Sequence, residues 1–259
     1  MVTKPVIDES HQHLARSSIN ATTSTIAAIH QPNYIPWLGY FFKISQADKF
    51  VFLDTVAYSH GSYVNRNCVK TPNGAAWLTV PTRRSGRFGQ LICETETNNI
   101  RQWTGRHMAT LRSNYGRASY FEEILALLEP HYRVVTDDGR SLADFNIGVI
   151  CSIATYLGFG THFTRASELN VSGHKTDLLV DICRAVGANQ YLAGAGGKSY
   201  QDDTKFEDAG IAPIYSNFSQ RPYPQLFGEF IGDLSVVDVL MNCGYPGTRR
   251  LLGFESDRS

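Results

Sequence analysis

Residues 25–54 read TIAAIHQPNYIPWLGYFFKISQADKFVFLD, and three patterns follow one another in them. Residues 25–29 are apolar and partly β-branched, the signature of a buried strand. Residues 30–36 break that run with His30, Gln31, Asn33 and two prolines. Pro36 suits the first turn of a helix, where its missing N–H costs nothing. Residues 37–47 then carry apolar side chains at helical spacing, and KFVFL (49–53) is a second buried run, ending at Asp54. Two strands joined by a helix need a crossover connection, which pairs them in parallel.

The same reading extends along the chain. Residues 62–70 and 75–81 flank Thr-Pro-Asn-Gly, a turn, and so form a hairpin. TRRSGRFG (82–89) is a basic, glycine-containing loop, and residues 90–95 read as a further strand. Helical periodicity predicts helices over 100–115, over 119–128 with a stop at Pro130, and over 142–157. Another covers 178–186, ended by Gly187. Short strands are expected at 161–165, 190–193 and 211–215, and helices at 201–209 and 235–243. The fold class is therefore α/β: a mainly parallel sheet with flanking helices, a β-hairpin and a helical insertion at about 100–157. Residues 1–24 form a polar extension, 25–252 a single domain and 253–259 a polar tail.

Bulk composition excludes some functions. Lys plus Arg and Asp plus Glu are both 24 in 259 residues, so the formal net charge is zero. A dedicated nucleic-acid binder needs a basic footprint. No run approaches the ~18 apolar residues of a membrane span. The five cysteines are odd in number and contain no C-x-x-C pair, the usage of free thiols in a reducing cytoplasm. The expected location is cytoplasmic. The histidines lack metal-ligand spacing, so no metal is expected.

Several residues could carry chemistry. His30 leaves the end of the first strand, and ligands bind outside the carboxyl ends of strands in open parallel sheets. It is read as an acid/base or charge-stabilising group, with Asp54 as its orienting partner or as a base. Gln31, Asn33, Asn65 and Asn67 offer amides to a ligand, while Tyr34, Trp37 and Tyr58 offer ring faces. Arg66 and Lys70 share one face of a strand and could grip phosphate or carboxylate. Gly194, Gly196, Gly197 and Lys198, in GAGGKSY after a strand, could cradle an anion, although no known nucleotide motif is matched. The alternatives stay open: a rigid Pro-bounded turn closing the core, a turn-capping Asp54, a solvated strand face and a plain flexible turn. In SVVD (235–238), Ser235 reads as a helix cap.

HQPNYIPWLGYFFKISQADKFVFLD, then NRN-x-V-K-T-P-N-G and W-L-T-V-P, resembles the opening of the WbqC-like protein family. The resemblance continues through KTDLLVDICRAVGANQYLAGAGGKSY, PYPQ and SVVDVLMNCG. The chain departs from the expected pattern at Thr55, Ala57, Tyr63 and Arg221, which bears on substrate more than on fold. The family's association is with surface-polysaccharide (O-antigen) and natural-product gene clusters. The resemblance implies a biosynthetic transferase that moves an acyl, aminoacyl or nucleotidyl group to or from a small amine, amino sugar or activated sugar. Its partner would be a small-molecule substrate such as a nucleotide sugar. No cofactor is fixed by the motifs, a nucleotide or ATP being the candidate. A non-catalytic sugar-nucleotide or carrier-binding protein and a tRNA-using aminoacyl transferase are the alternatives. The His-bearing loop also resembles that of the HIGH-type nucleotidyltransferases, with Trp37 or Gly39 in place of their second histidine.

Overall fold

The structure, a computed structural model, describes residues 24–83, 85–98, 102–134, 139–199 and 201–254. The expected N-terminal extension and the end of the polar tail lie outside those residues. The chain runs β1 (Ile26–His30), α1 (Leu38–Ser45), β2 (Lys49–Phe52), β3 (Arg66–Thr71), β4 (Gly74–Thr79), α2 (Trp103–Tyr115), α3 (Phe121–Arg133), α4 (Leu142–Tyr156), β5 (His162–Arg165), α5 (Thr176–Ala185), β6 (Gln190–Ala193), α6 (Asp203–Asp208), β7 (Ala212–Tyr215) and α7 (Val236–Leu251).

Five strands form a parallel sheet in the order β5-β2-β1-β6-β7. The period of two along each strand divides the core between its faces. Ala28, Phe50, Phe52 and Leu192 point toward α1 and the insertion. Ala27, Ile29, Val51, Tyr191 and Ala193 point the other way, toward α5 and α6. The sheet is apolar on both faces because helices cover both.

The antiparallel hairpin β3–β4 turns at Thr71↔Gly74, where Gly74 has φ +99°. Helices α2, α3 and α4 form the insertion, and α7 packs on α3 and β3. Two local expectations are corrected. Residues 90–95 are not a strand; Ile92–Glu94 make a 3-10 turn. Helix α3 does not stop at Pro130 but continues to Arg133. The lost N–H and the proline clash are outweighed because the last turn buries Tyr132 against Trp103 and Phe145. Helix α7 is longer than expected and bends at Gly244, whose φ of +60° with ψ −167° is glycine-only backbone. A Cβ there would lie 2.4 Å from the Tyr120 ring.

Candidate functional site

The chain winds from β1 outward through β2 to β5, then crosses back to β6 and β7 on the other side of β1. The strand order therefore reverses between β1 and β6, the switch point at which open α/β sheets bind ligands beyond the strand ends. His30 ends β1 there, at the mouth of a cavity of about 340 Å³ lined also by Asn33, Trp37, Tyr63 and Asp233. The pairing Ala28↔Leu192, continued by two residues, sets His30 level with Gly194, the first glycine of the turn after β6.

The backbone carbonyl of Gln31 orients His30. It accepts from His30 Nδ1 at 3.1 Å and from Tyr40 Oη at 3.0 Å, and the Tyr40 ring meets the imidazole edge-on at 4.7 Å. A carbonyl only accepts, so Nδ1 carries the proton and Nε2 keeps its lone pair. Burial, and Lys43 close by, push the imidazole down to about 4, so it is neutral at pH 7. Lys43 is itself buried, donating to Ile29 O at 2.8 Å, and burial lowers its amino group to about 7.

The loop that follows is strained and tied down. Ile35 has φ +32°, rare for a β-branched residue. Its carbonyl accepts from Asn67 Nδ2 at 2.8 Å and from the Ser235 hydroxyl at 2.7 Å. Trp37 precedes α1, and its indole occupies the space a Cβ on Gly39 would need, 2.3 Å from that position. The ring packs against Phe218 at 5.6 Å. The aromatic and Gly content of this short stretch thus shapes one cavity wall.

Several expected site residues stand elsewhere. Asp54 is fully buried, and its carboxylate accepts from Ser167 N at 2.9 Å and Ser167 Oγ at 2.7 Å. The cause is the strand order: β2 neighbours β5 as well as β1, with Phe52 opposite Arg165, so Asp54 meets the turn just past β5. Its expected role as partner of His30 is corrected to a cap. Asp54→Ala is expected to cost about 1.5–3 kcal/mol, the worth of hydrogen bonds to a charged group, in urea unfolding. Ligand binding at the cavity should be unchanged; loss of binding in a folded variant would restore Asp54 to the site.

Tyr34 is likewise buried, bonded to His107 Nδ1 at 2.7 Å and to the Tyr132 hydroxyl at 2.6 Å, and offers no ring to the cavity. Asn65 and Asn67 tether backbone: Asn65 Nδ2 donates to Val80 O at 3.0 Å, and Asn67 holds Ile35. Lys70 is buried, and its Nζ donates to Gln225 Oε1 and Glu229 O. Arg66 stacks 4.2 Å over the Trp77 ring, which is tilted against Tyr63; it borders the cavity's outer wall without lining it. The expected Arg66–Lys70 grip is therefore not formed. Tyr58 lines a separate hollow of about 530 Å³ with His60 and the 85–90 loop. Gln31 serves through its carbonyl. Gly194 directly follows β6, and Gly196, Gly197 and Lys198 lie in the 3-10 turn Ala195–Ser199, with Lys198 Nζ 4.7 Å over the Tyr215 ring; Gly197 N–H donates to Gly194 O at 2.8 Å, so the expected anion cradle does not present a run of free N–H groups. A Cβ on Gly197 would meet Gln201 Oε1 at 2.8 Å and the Ala193 Cβ at 3.1 Å, so a larger residue there would displace the Gln201 side chain. His30, Asn33 and Trp37 are the expected residues that the structure does gather.

Tyr63, one of the departures from the family pattern that are expected to line the site, and Asp233, which no sequence pattern points to, complete the lining. Asp233 belongs to a strap, residues 216–235, with little regular structure. It has φ +56° and its N–H donates to Gln220 Oε1 at 3.1 Å. Two bonds between Gln225 and Ile231 close the strap on itself. No periodicity links an acid two hundred positions away to His30; the only local signal was a non-glycine in a Gly-Asp turn before a capped helix.

The architecture defines the molecule first as a parallel α/β protein with a ligand-sized cavity at its switch point. The chain belongs to the WbqC-like protein family, whose model matches residues 31–250. It is also similar to the uncharacterized protein Rv1507c of Mycobacterium tuberculosis, 34% identical over 218 residues, which cover 84% of this chain and 93% of that protein. No solved structure matches. No helix among the described residues is long and apolar enough to cross a membrane.

Proposed function

We propose that the protein is a biosynthetic transferase whose acceptor occupies the cavity and whose activated donor lies over the switch point, between His30 and the glycine turn after β6. The observation that carries this reading is the position of His30, which lines the cavity and ends the strand beside that turn. A neutral imidazole with Nε2 unprotonated is a base for the acceptor nucleophile. For an acyl or aminoacyl donor, the acceptor nitrogen bonds to the donor carbonyl carbon, and the leaving group departs with the electron pair of the broken bond. The proton released from nitrogen passes to Nε2. Lys198, in the 3-10 turn after β6, supplies a cation for an anionic leaving group such as a phosphate. The strand order, five parallel strands reversing at the first, is also that of mononucleotide-binding sheets, which supports a nucleotide as the donor's carrier. The family's association with surface-polysaccharide and natural-product gene clusters supports a biosynthetic setting.

The tRNA alternative is weaker because three of the basic residues behind it are engaged. Arg83 and Arg87 both pair with Glu96, and Arg249 donates to Leu157 O.

The test incubates the protein with nucleotide sugars, or with ATP and amino acids, together with small amines, and follows new masses. His30→Ala should lower product formation by about a hundredfold, at the low end of general-base contributions, while its circular dichroism stays that of the parent. Unchanged product formation in the variant, or no covalent product from any donor and acceptor, would overturn the assignment.

A further inference from the structure

We infer that the cavity beside His30 takes its acceptor as a cation: a primary amine whose ammonium sits against Asp233 while its skeleton packs on Trp37 and Tyr63, and which gives one proton to solvent before its nitrogen attacks and a second to His30 Nε2 afterwards. This deepens the reading above and rests on the cavity being the acceptor's half of the site. The argument is one of charge. The lining residues are His30, Asn33, Trp37, Tyr63 and Asp233, with one acid and no lysine or arginine among them. Burial holds the His30 imidazole neutral. Ring faces present the negative side of their quadrupole, so both aromatics also favour a cation. A phosphate or carboxylate placed here would face a carboxylate and two π faces with no counter-charge.

The cations near this end of the sheet are turned to other tasks. Lys43 is buried and donates to Ile29 O, Arg66 stacks on Trp77, Lys70 is held by Gln225 and Glu229, and Lys198 lies over Tyr215 beside the glycine turn. The molecule thus separates the signs: acid and aromatics around the cavity, Lys198 across the switch point.

Size and rigidity narrow the class further. A volume of about 340 Å³ is at the small end of ligand sites. It suits an amine of monosaccharide size or less and cannot enclose a whole nucleotide sugar. Asp233 is preorganised, since its left-handed backbone is held by Gln220 and the strap is pinned by Phe218 against Trp37 and Phe42. Asn33 supplies an amide for a hydroxyl on the skeleton.

The experiment measures binding to the full chain by ligand-observed NMR, using matched pairs: glucosamine with N-acetylglucosamine, and cyclohexylamine with cyclohexanol. Each is present at about 10 mM, enough to load even a millimolar site. The cationic member of at least one pair should bind about tenfold tighter than its neutral partner. Asp233→Asn should erase that preference by weakening the amine about tenfold, leaving the neutral partner unchanged and the thermal midpoint that of the parent. Equal binding within both pairs, an unaltered amine affinity in Asp233→Asn, or no amine binding at all would overturn the inference. The two readings fail separately. Covalent transfer to neutral acceptors alone sinks the cationic acceptor and leaves the transferase. Amine binding lost in Asp233→Asn, with no product from any donor, supports the amine site and sinks the transferase.

Discussion

Asp238→Ala is expected to lower unfolding free energy by about 3–5 kcal/mol, the cost of breaking a buried, charge-centred network. Asp238 is fully buried in the first turn of α7 and accepts from Tyr115 Oη at 2.7 Å, Tyr223 Oη at 2.8 Å and Gln225 Nε2 at 2.9 Å. Burial raises its carboxyl above the usual range, against the three donors and Lys70, which favour the charged form. The network then branches. Tyr115 Oη accepts from Lys70 N at 2.8 Å, and Gln225 Oε1 from Lys70 Nζ at 2.9 Å. Truncation leaves two tyrosine hydroxyls and a glutamine amide without their acceptor in a dry interior, where each unmet group costs about 1–3 kcal/mol before relaxation. Because Tyr223 and Gln225 belong to the strap, the variant should also lose amide-exchange protection across residues 220–234. Asp238→Asn, which keeps an acceptor, should lose less. A urea midpoint within experimental error of the parent, with the strap still protected, would show that Asp238 anchors nothing.

That network explains why the fold was more legible in the sequence than the site. Strands and helices announce themselves by period: β1, β2, α4, β6 and β7 all fall within a residue or two of where apolar spacing puts them. Function was read from residue types that look wasteful as structure, and here structure has uses for them. Asn65, in the turn before β3, and Asn67, within it, are there because their side chains hold backbone, at Val80 and at the strained Ile35. Lys70 looked like an anion ligand because its burial depends on Gln225 and Glu229, more than 150 positions away. Whether Asp54 meets β1 or β5 depends on strand order, which spacing does not carry; the turn-capping alternative is the one that the structure forms. Ser235 was read correctly as a cap, and it caps through Val237 N; the aspartate three residues later in the same motif holds the strap. His30 was legible because its signal is local: a polar side chain at the abrupt end of a buried parallel strand. Asp233 was not, because its place depends on the strap's closure.

Acid should destabilise the protein well before its surface carboxylates titrate, and His107 should carry much of the effect. His107 is buried beside Trp103. Its Nδ1 accepts from Tyr34 Oη at 2.7 Å, and the other ring N–H donates to the Thr79 carbonyl. Burial lowers it to about 4. An unfolded histidine titrates near ~6.5. Between those values the unfolded chain binds a proton that the folded chain refuses, so stability rises with pH. His107 therefore contributes stability that is complete above the unfolded value and is lost as pH falls through the folded one. The slope is about 1.4 kcal/mol per pH unit and the total about 3 kcal/mol. His30, also lowered to about 4, acts in the same sense but less strongly, because its ring borders an open cavity. Asp238 opposes both, since its raised carboxyl takes up a proton in the folded state first. Lys43, lowered to about 7, extends the rise in stability to alkaline pH. Urea midpoints measured from roughly pH 4 to 7 should therefore fall steadily toward acid. His107→Gln can still donate to Thr79 and accept from Tyr34, but it cannot titrate. Its curve should be flatter by one proton across that window, with the two curves converging at the acid end. Parallel curves for parent and variant would show that His107 enters the folded state already charged, and the Tyr132–Tyr34–His107 chain would need its donors and acceptors reversed.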